Sequence, residues 1–161
     1  MDKSIETQVV VFRLEHKEYG LSIDQVKEII SLSEVTPLPL ENSSMEGVIN
    51  LRGQIIPIIN LKRRLGLVKQ TYASEVRVIV VELEKQLLGL KVDDAVEVLR
   101  LDGDAVHALS DILSQAENQD LVVGVGELKD RLIVLLDLTK LLNNQEIQEI
   151  QKEVDEVKVK L

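Results

Sequence analysis

An internal repeat constrains this chain more than any other feature of its sequence. Residues 9–32 match residues 78–101 at a constant offset of 69, with nine identical positions, and residues 47–56 match residues 124–133 at an offset of 77. The second copy is therefore eight residues longer in its middle connection, since 77 − 69 = 8. A single change of offset, together with glycines shared by both copies, favours a true duplication over a chance match between aliphatic segments.

Each copy contains short, β-branched apolar runs, which are typical of strands and short for helices. Closely spaced short strands predict small barrels or a sandwich. We therefore expect a mainly all-β fold of two packed five-stranded barrels with short connecting helices. The predicted units cover about residues 7–68 and about 75–143, with terminal strands allowed to cross over. Because each unit is small for an independent fold, one cooperative domain over residues 1–144 is expected.

Glycine and proline positions give local predictions within each copy. Gly20 and Gly89 are expected to supply backbone freedom where the first hairpin of each copy closes. Pro57 lies in the aliphatic run Ile55–Ile59. Because proline cannot donate a hydrogen bond to a neighbouring strand, Pro57 predicts an edge strand or a bulge.

Two segments lie outside the repeat. Val106, Leu109 and Leu113 follow an acidic, glycine-containing segment at helical spacing, which predicts a short helix over residues 104–115. Residues 145–161 carry aliphatic side chains at alternating steps of three and four, which predicts an amphipathic C-terminal helix or tail. We prefer docking of this helix on its own barrel to a coiled coil, because two heptads are marginal alone.

Composition excludes several classes of protein. The chain has no cysteine, only three aromatic residues and a net charge of −9. Disulfide frameworks, thiol chemistry, base-stacking platforms and nucleic-acid binding are therefore not expected. No apolar run approaches the length of a membrane span, and the first residues do not resemble a secretory signal. We expect a soluble, cytoplasmic protein without direct membrane insertion.

The sequence offers no convincing catalytic centre. His16 and His107 are the only two histidines, and neither has a second histidine at metal-ligand spacing. Asp93 and Asp94 are adjacent carboxylates, but no metal partner or perturbing group is evident beside them. The chain is therefore predicted not to be an enzyme, with no cofactor and no metal. An enzyme that uses these two carboxylates stays open as an alternative.

Two segments are candidates for binding instead. The block 47–61 holds two apolar strands around a tight turn, and an edge strand beside an aliphatic surface is a plausible docking site. The connection 35–40 places Leu38 between two prolines and Leu40 directly after the second. Loops often carry recognition, although these two leucines can equally fold back on the core.

The same residues resemble the CheW family over about residues 7–143. The resemblance rests on three runs of the first copy, 18–21, 26–29 and 47–61, and on two of the second, 89–93 and 124–126. It implies two SH3-like barrels. It also implies a non-enzymatic adaptor that couples the cytoplasmic tips of bacterial chemoreceptors to the regulatory domain of the histidine kinase CheA, recruited from the cytoplasm to receptor arrays.

The resemblance further implies residue roles, with the receptor in a groove between the barrels and the kinase against exposed barrel ends. The receptor-facing residues would be Val26, Glu28, Ile29, Arg52 and Val98. Val35 would face the kinase. The positions that hold the motif would be Gly47, Asn50, Gly53, Pro57 and Gly124. For Ile29 and Val98, which are equivalent in the two copies, burial in their own barrels is the competing interpretation.

Besides the enzyme named above, two further functions are alternatives to the chemotaxis adaptor. A related scaffold of a non-chemotaxis array, such as pilus-based motility, would share both fold and motif. A CheV-like protein would add a receiver domain, for which these 161 residues are expected to leave no room. Asn60 departs from the aspartate common in the family, whereas the second copy has Asp137. Asn60 can still cap the following helical turn.

Overall fold

The computed structural model describes residues 7–32, 34–37, 45–67, 76–108 and 121–160. Most of these residues lie in strands. One α-helix comes after the last strand of each copy: α1 (Leu61–Arg64) after the first copy and α2 (Asn144–Lys160) after the second. The strands are β1 (Thr7–Leu14), β2 (Lys17–Ser22), β3 (Val26–Ser31), β4 (Met45–Leu51), β5 (Gln54–Asn60), β6 (Arg77–Leu83), β7 (Gln86–Val92), β8 (Asp94–Leu101), β9 (Val106–Ala108), β10 (Val122–Leu128) and β11 (Arg131–Leu136).

The strands form two sheets, which we name barrel A and barrel B. Barrel A has the strand order β8-β1-β2-β11-β10-β9, and barrel B has the order β3-β6-β7-β5-β4. The predicted mainly β fold of two packed barrels with a C-terminal helix is thus confirmed. Barrel A differs by one short extra strand, β9.

The hairpins of the two copies are exchanged between the barrels. The hairpin β1–β2 belongs to the first copy of the sequence but pairs with β8 and β11 of the second. Reciprocally, β6 and β7 pair with β3 and β5 of the first copy. The division near residue 70 therefore separates two copies of the sequence, whereas each barrel draws strands from both.

Each barrel is closed by the segment that follows its first edge strand. In barrel B, Thr36 and Val48 exchange two backbone hydrogen bonds of 2.8 and 2.9 Å. In barrel A the closing segment is β9, which pairs with β10 and places His107 opposite Val125. The helix predicted over residues 104–115 is therefore wrong for residues 106–108, because pairing with β10 prevails over helical spacing. Residues 109–115 lie outside the described residues, as do Leu38 and Leu40.

Aliphatic side chains divide between two barrel interiors and a layer between the barrels. Val9, Val11 and Ile133 lie inside barrel A with Leu101 and Leu135. The interior of barrel B consists of Ile49, Ile56, Ile58, Val78 and Val80. A larger inter-barrel cluster contains residues of both barrels and, from α2, Ile147, Ile150 and Val154. The C-terminal helix is thus amphipathic and docks on the body of the fold, as predicted, but it packs on β5 of barrel B and not on barrel A, whose strand β11 precedes it.

The predicted role of Gly20 and Gly89 in hairpin turns is wrong. Both lie inside strands, and the turns at Glu15-His16 and Glu84-Lys85 adopt positive φ without glycine. A Cβ at Gly89 would lie 2.6 Å from Cδ1 of Ile58 and 2.7 Å from Cγ1 of Val78. The glycine is required for side-chain packing across the strands.

Pro57 lies in a strand with neighbours on both sides, so the predicted edge position is wrong for β5. The parallel ladder with β7 begins only at Ile58. On the other side Pro57 faces Val48, whose N–H and C=O both bond to Thr36. No ladder hydrogen bond therefore requires an N–H at Pro57, and the bulge of this hairpin lies in β4, between Met45 and Gly47.

Candidate docking surface

A bulge in β3 places two of the predicted receptor-facing residues on one face. Val26 pairs with Val81 and Ile29 pairs with Ile79, with a register shift between them. Directly opposed residues share a face of the sheet. Because Val81 and Ile79 belong to the inter-barrel cluster, Val26 and Ile29 face the same layer. Val26 is half-buried there, whereas Ile29 is 41% exposed.

The second copy repeats this arrangement on β8. Val98 pairs with Val10 of the inter-barrel cluster, and the register shifts again between Val11 and Phe12. The side chain of Val98 is 49% exposed. Ile29 and Val98 therefore do not face the interiors of their own barrels. They flank the inter-barrel layer from the two edge strands, and β8 lies against β6, the strand next to β3.

Glu28 and Arg52 form an ion pair on the opposite face of β3. Glu28 pairs with Val80, whose side chain points into barrel B. The guanidinium Nη2 of Arg52 donates to Oε2 of Glu28, and the two side chains are 69% and 35% exposed. The predicted receptor set is thus divided over both faces of one edge strand, with Val98 contributed by β8.

The turn between β4 and β5 is shaped by its own residues. Oδ1 of Asn50 accepts a hydrogen bond of 2.8 Å from the backbone N–H of Gly53. Arg52 and Gly53 have positive φ of 51° and 84°, which fits a tight hairpin turn. Asn50 and Gly53 therefore fix the direction in which Arg52 leaves the turn.

Gly47 leaves room for the segment that follows β3 and contains Val35 and Thr36 to pack against β4. A Cβ at Gly47 would lie 2.2 Å from the carbonyl oxygen of Thr36, so only glycine permits the closure of barrel B at this point. Val35 is half-buried and packs against the interior cluster of barrel B. Gly124 occupies the equivalent position in β10, next to a register shift between Val122 and Gly124.

Sequence reasoning missed a second ion-pair network, in barrel A. Nε of Arg131 donates to Oε1 of Glu18 over 3.0 Å, and its Nη1 lies 2.8 Å from Oε1 of Glu97. The hydrogen bond from Arg131 holds the pKa of Glu18 below its usual value. The available signal was Glu97, which matches Glu28, but its arginine lies two residues beyond the position that matches Arg52.

The two adjacent carboxylates are engaged in contacts within the fold. Oδ2 of Asp93 lies 2.8 Å from Nζ of Lys62 and also accepts from the backbone N–H of Glu15. Oδ2 of Asp94 lies 3.7 Å from Nη1 of Arg13. In the described ranges, no three His, Cys, Asp or Glu side chains gather as a metal site, and no helix is long and apolar enough to span a membrane.

Comparison with known proteins identifies the family. The model of the CheW-like domain matches residues 8–146. The chain belongs to the CheW-like domain family. This match covers the strands of both barrels and the start of α2.

Relatives of the CheW-like domain family resemble the chain over most of its length. The chemotaxis protein CheW of Klebsiella aerogenes is 30% identical over 145 residues, which cover 90% of this chain and 87% of that protein. The CheW of Treponema pallidum is also 30% identical, over 89% of this chain and 86% of the relative. A solved structure, the scaffolding protein TtCheW of Thermoanaerobacter tengcongensis, is 34% identical with a TM-score of 0.76, over 85% of this chain and 92% of that one.

Proposed function

We propose that this protein is a non-enzymatic chemotaxis adaptor that couples the cytoplasmic tips of chemoreceptors to the regulatory domain of the histidine kinase CheA. The observation that carries the proposal is the exposure of Ile29 and Val98 on two edge strands that flank one inter-barrel layer. The relatives named above are chemotaxis proteins, which favours chemotaxis over a pilus-based array. The protein would act in the cytoplasm, recruited to receptor arrays.

The receptor would dock along the edges of β3 and β8. Val26, Ile29 and Val98 offer aliphatic surface to the apolar face of a receptor helix. Glu28 and Arg52 supply charge at the rim, where Arg52 is well exposed. Charged groups at a rim set orientation and association rate more than affinity.

The kinase would contact the closing segment of barrel B. Val35 lies one residue before Thr36, which fastens this segment to β4. A partner that packs on Val35 would therefore bind a segment held by two backbone hydrogen bonds. Val35 packs against the interior cluster of barrel B, whereas Ile29 and Val98 flank the inter-barrel layer, so separate variants can test the two partners.

Titration calorimetry with a receptor-tip fragment and with the CheA regulatory domain, run separately, tests the proposal. We expect both to bind without any turnover. Ile29→Glu should weaken receptor binding at least about tenfold while leaving kinase binding unchanged. Val35→Glu should do the reverse.

Val123→Glu is the matched control, because Val123 is a similarly exposed aliphatic residue of β10, 47% exposed. It should change neither affinity by more than about twofold. Failure of the unmodified protein to bind either partner would refute the adaptor function. Binding that Ile29→Glu leaves intact would remove the β3 edge from the receptor surface.

A further inference from the structure

The two barrels differ in how their equivalent outer faces are covered. Ile55 on β5 and Leu132 on β11 are related by the repeat offset of 77. Ile55 is 9% exposed, whereas Leu132 is 64% exposed. Both lie on the face of their strand that looks toward the inter-barrel cluster, since Ile55 belongs to it and Leu132 shares a face with Leu136, another member.

The covering element in barrel B is the C-terminal helix. Helix α2 packs on β5, and its buried residues join Ile55 in the same cluster. They are Ile147, Ile150 and Val154, spaced at i, i+3 and i+7, which is one stripe of a helix. Barrel B thus demonstrates that this outer face accepts an amphipathic helix.

Within the described residues, no helix covers the equivalent face of barrel A. Val125 and Val134 oppose each other on β10 and β11 and are only half-buried, whereas Val48, the counterpart of Val125, is 4% exposed. Leu132 lies next along the same face, opposite Glu127. We name Val125, Leu132 and Val134 the open seat.

We propose that the open seat binds an amphipathic helix of a partner protein, with aliphatic residues at i, i+3 and i+7 and a lysine or arginine beside the stripe. The aliphatic spacing follows from the helix that fills the equivalent seat. The basic residue follows from Glu127, which lies directly opposite Leu132, has a 58% exposed side chain and lies 3.5 Å from Nε2 of His107. The proposal goes beyond receptor and kinase coupling, because none of the residues proposed for those surfaces lies in the open seat.

A peptide with the sequence of α2 is the natural probe. Residues 144–160 carry the aliphatic stripe and also Lys158, which follows Val154 at i+4 and therefore falls beside the stripe in a helix. Because a free 17-residue helix is marginal in water, the peptide would be held helical by a lactam between Lys152 and a glutamate introduced by Gln148→Glu, both positions being exposed in α2. The labelled peptide is titrated with the full chain and followed by fluorescence anisotropy.

Saturable binding is expected, weakened at least about tenfold by Leu132→Glu in the protein or Ile150→Lys in the peptide. Val123→Glu is the matched control, because Val123 is a 47% exposed aliphatic residue of the same barrel outside the open seat and outside the proposed receptor and kinase surfaces, and it should leave affinity within about twofold. Thermal melts establish that both variants are folded.

Three results would overturn the proposal. Absence of saturable binding up to about 1 mM would mean that the seat takes no helix. Binding indifferent to Leu132→Glu would mean that the peptide replaces α2 in barrel B. A dimer in sedimentation that Leu132→Glu dissociates would mean that a second copy of the chain occupies the seat.

Discussion

Nζ of Lys62 lies 2.8 Å from Oδ2 of Asp93, and the two side chains are only 3% and 13% exposed. Lys62 belongs to α1, whereas Asp93 lies between β7 and β8. The same carboxylate oxygen accepts a hydrogen bond from the backbone N–H of Glu15, in the β1–β2 turn of barrel A. One carboxylate thus links elements of both barrels.

Removing one partner of this ion pair should be costly. Lys62→Met leaves a buried carboxylate without the Lys62 ammonium, and we expect a loss of about 3 kcal/mol in the free energy of unfolding. The double variant Lys62→Met with Asp93→Asn should lose less than the sum of the two single changes. Urea denaturation of all four proteins provides the measurement, and strict additivity would argue against coupling between the two side chains.

The stability contribution of Glu18 should depend on pH. Because Arg131 lowers the pKa of Glu18 in the folded protein, this contribution is present above the unfolded pKa of about 4.3 and is lost as pH falls through the folded pKa. Glu18→Gln should therefore cost about 1 kcal/mol at pH 7 and progressively less below about pH 4. Urea melts between pH 3 and pH 7 test this. Glu82→Gln is the control, because Glu82 is the exposed residue of the otherwise largely buried β6, and its effect on stability should stay near zero throughout.

Gly47→Ala should weaken the closure of barrel B, in which Thr36 bonds to Val48 of β4. Its Cβ would overlap the carbonyl oxygen of Thr36, so the segment must move away from β4 at a cost of about 2 kcal/mol or more. Hydrogen exchange at the amides of Thr36 and Val48 should accelerate, because these donate the two closing bonds. Gly53→Ala is the comparison, since it is strained by its φ but meets nothing within 4 Å. Unchanged protection at Thr36 would contradict the prediction.

Asn60→Asp should destabilise the protein, although the second copy carries Asp137 at the equivalent place. Both residues cap the turn that follows, but Nδ2 of Asn60 also donates to Oε1 of Glu46 over 2.8 Å. A carboxylate at position 60 would replace this donor by a repelling charge, at a cost of about 1–2 kcal/mol. Glu46→Gln should restore most of the loss. Thermal denaturation at pH 7 compares the variants, and a neutral Asn60→Asp would contradict the argument.

Sequence reasoning predicted the strand content, the duplication and the tight turn around Arg52, because these follow from local patterns. It could not resolve whether Ile29 and Val98 line a core or a surface. One residue is skipped at a bulge where β3 pairs with β6, and another where β8 pairs with β1. A skipped residue places the later side chains of the strand on the opposite face of the sheet, and the spacing of apolar residues in the sequence does not reveal it. The misplaced roles of Gly20 and Gly89 have a similar cause, because their constraint comes from side chains distant in the sequence.

The exchange of hairpins sets the order in which the protein can fold during its synthesis. The hairpin β1–β2 leaves the ribosome before the other described strands, yet Glu18 on β2 pairs opposite Ile133 on β11, more than one hundred residues later. Barrel A therefore stays incomplete until almost the whole chain has emerged, while β1 and β2 expose aliphatic edges. Contacts so distant in sequence slow folding and leave the nascent hairpin prone to wrong partners. A chaperone that shelters the first 25 residues would have its largest effect on this chain before β8 appears.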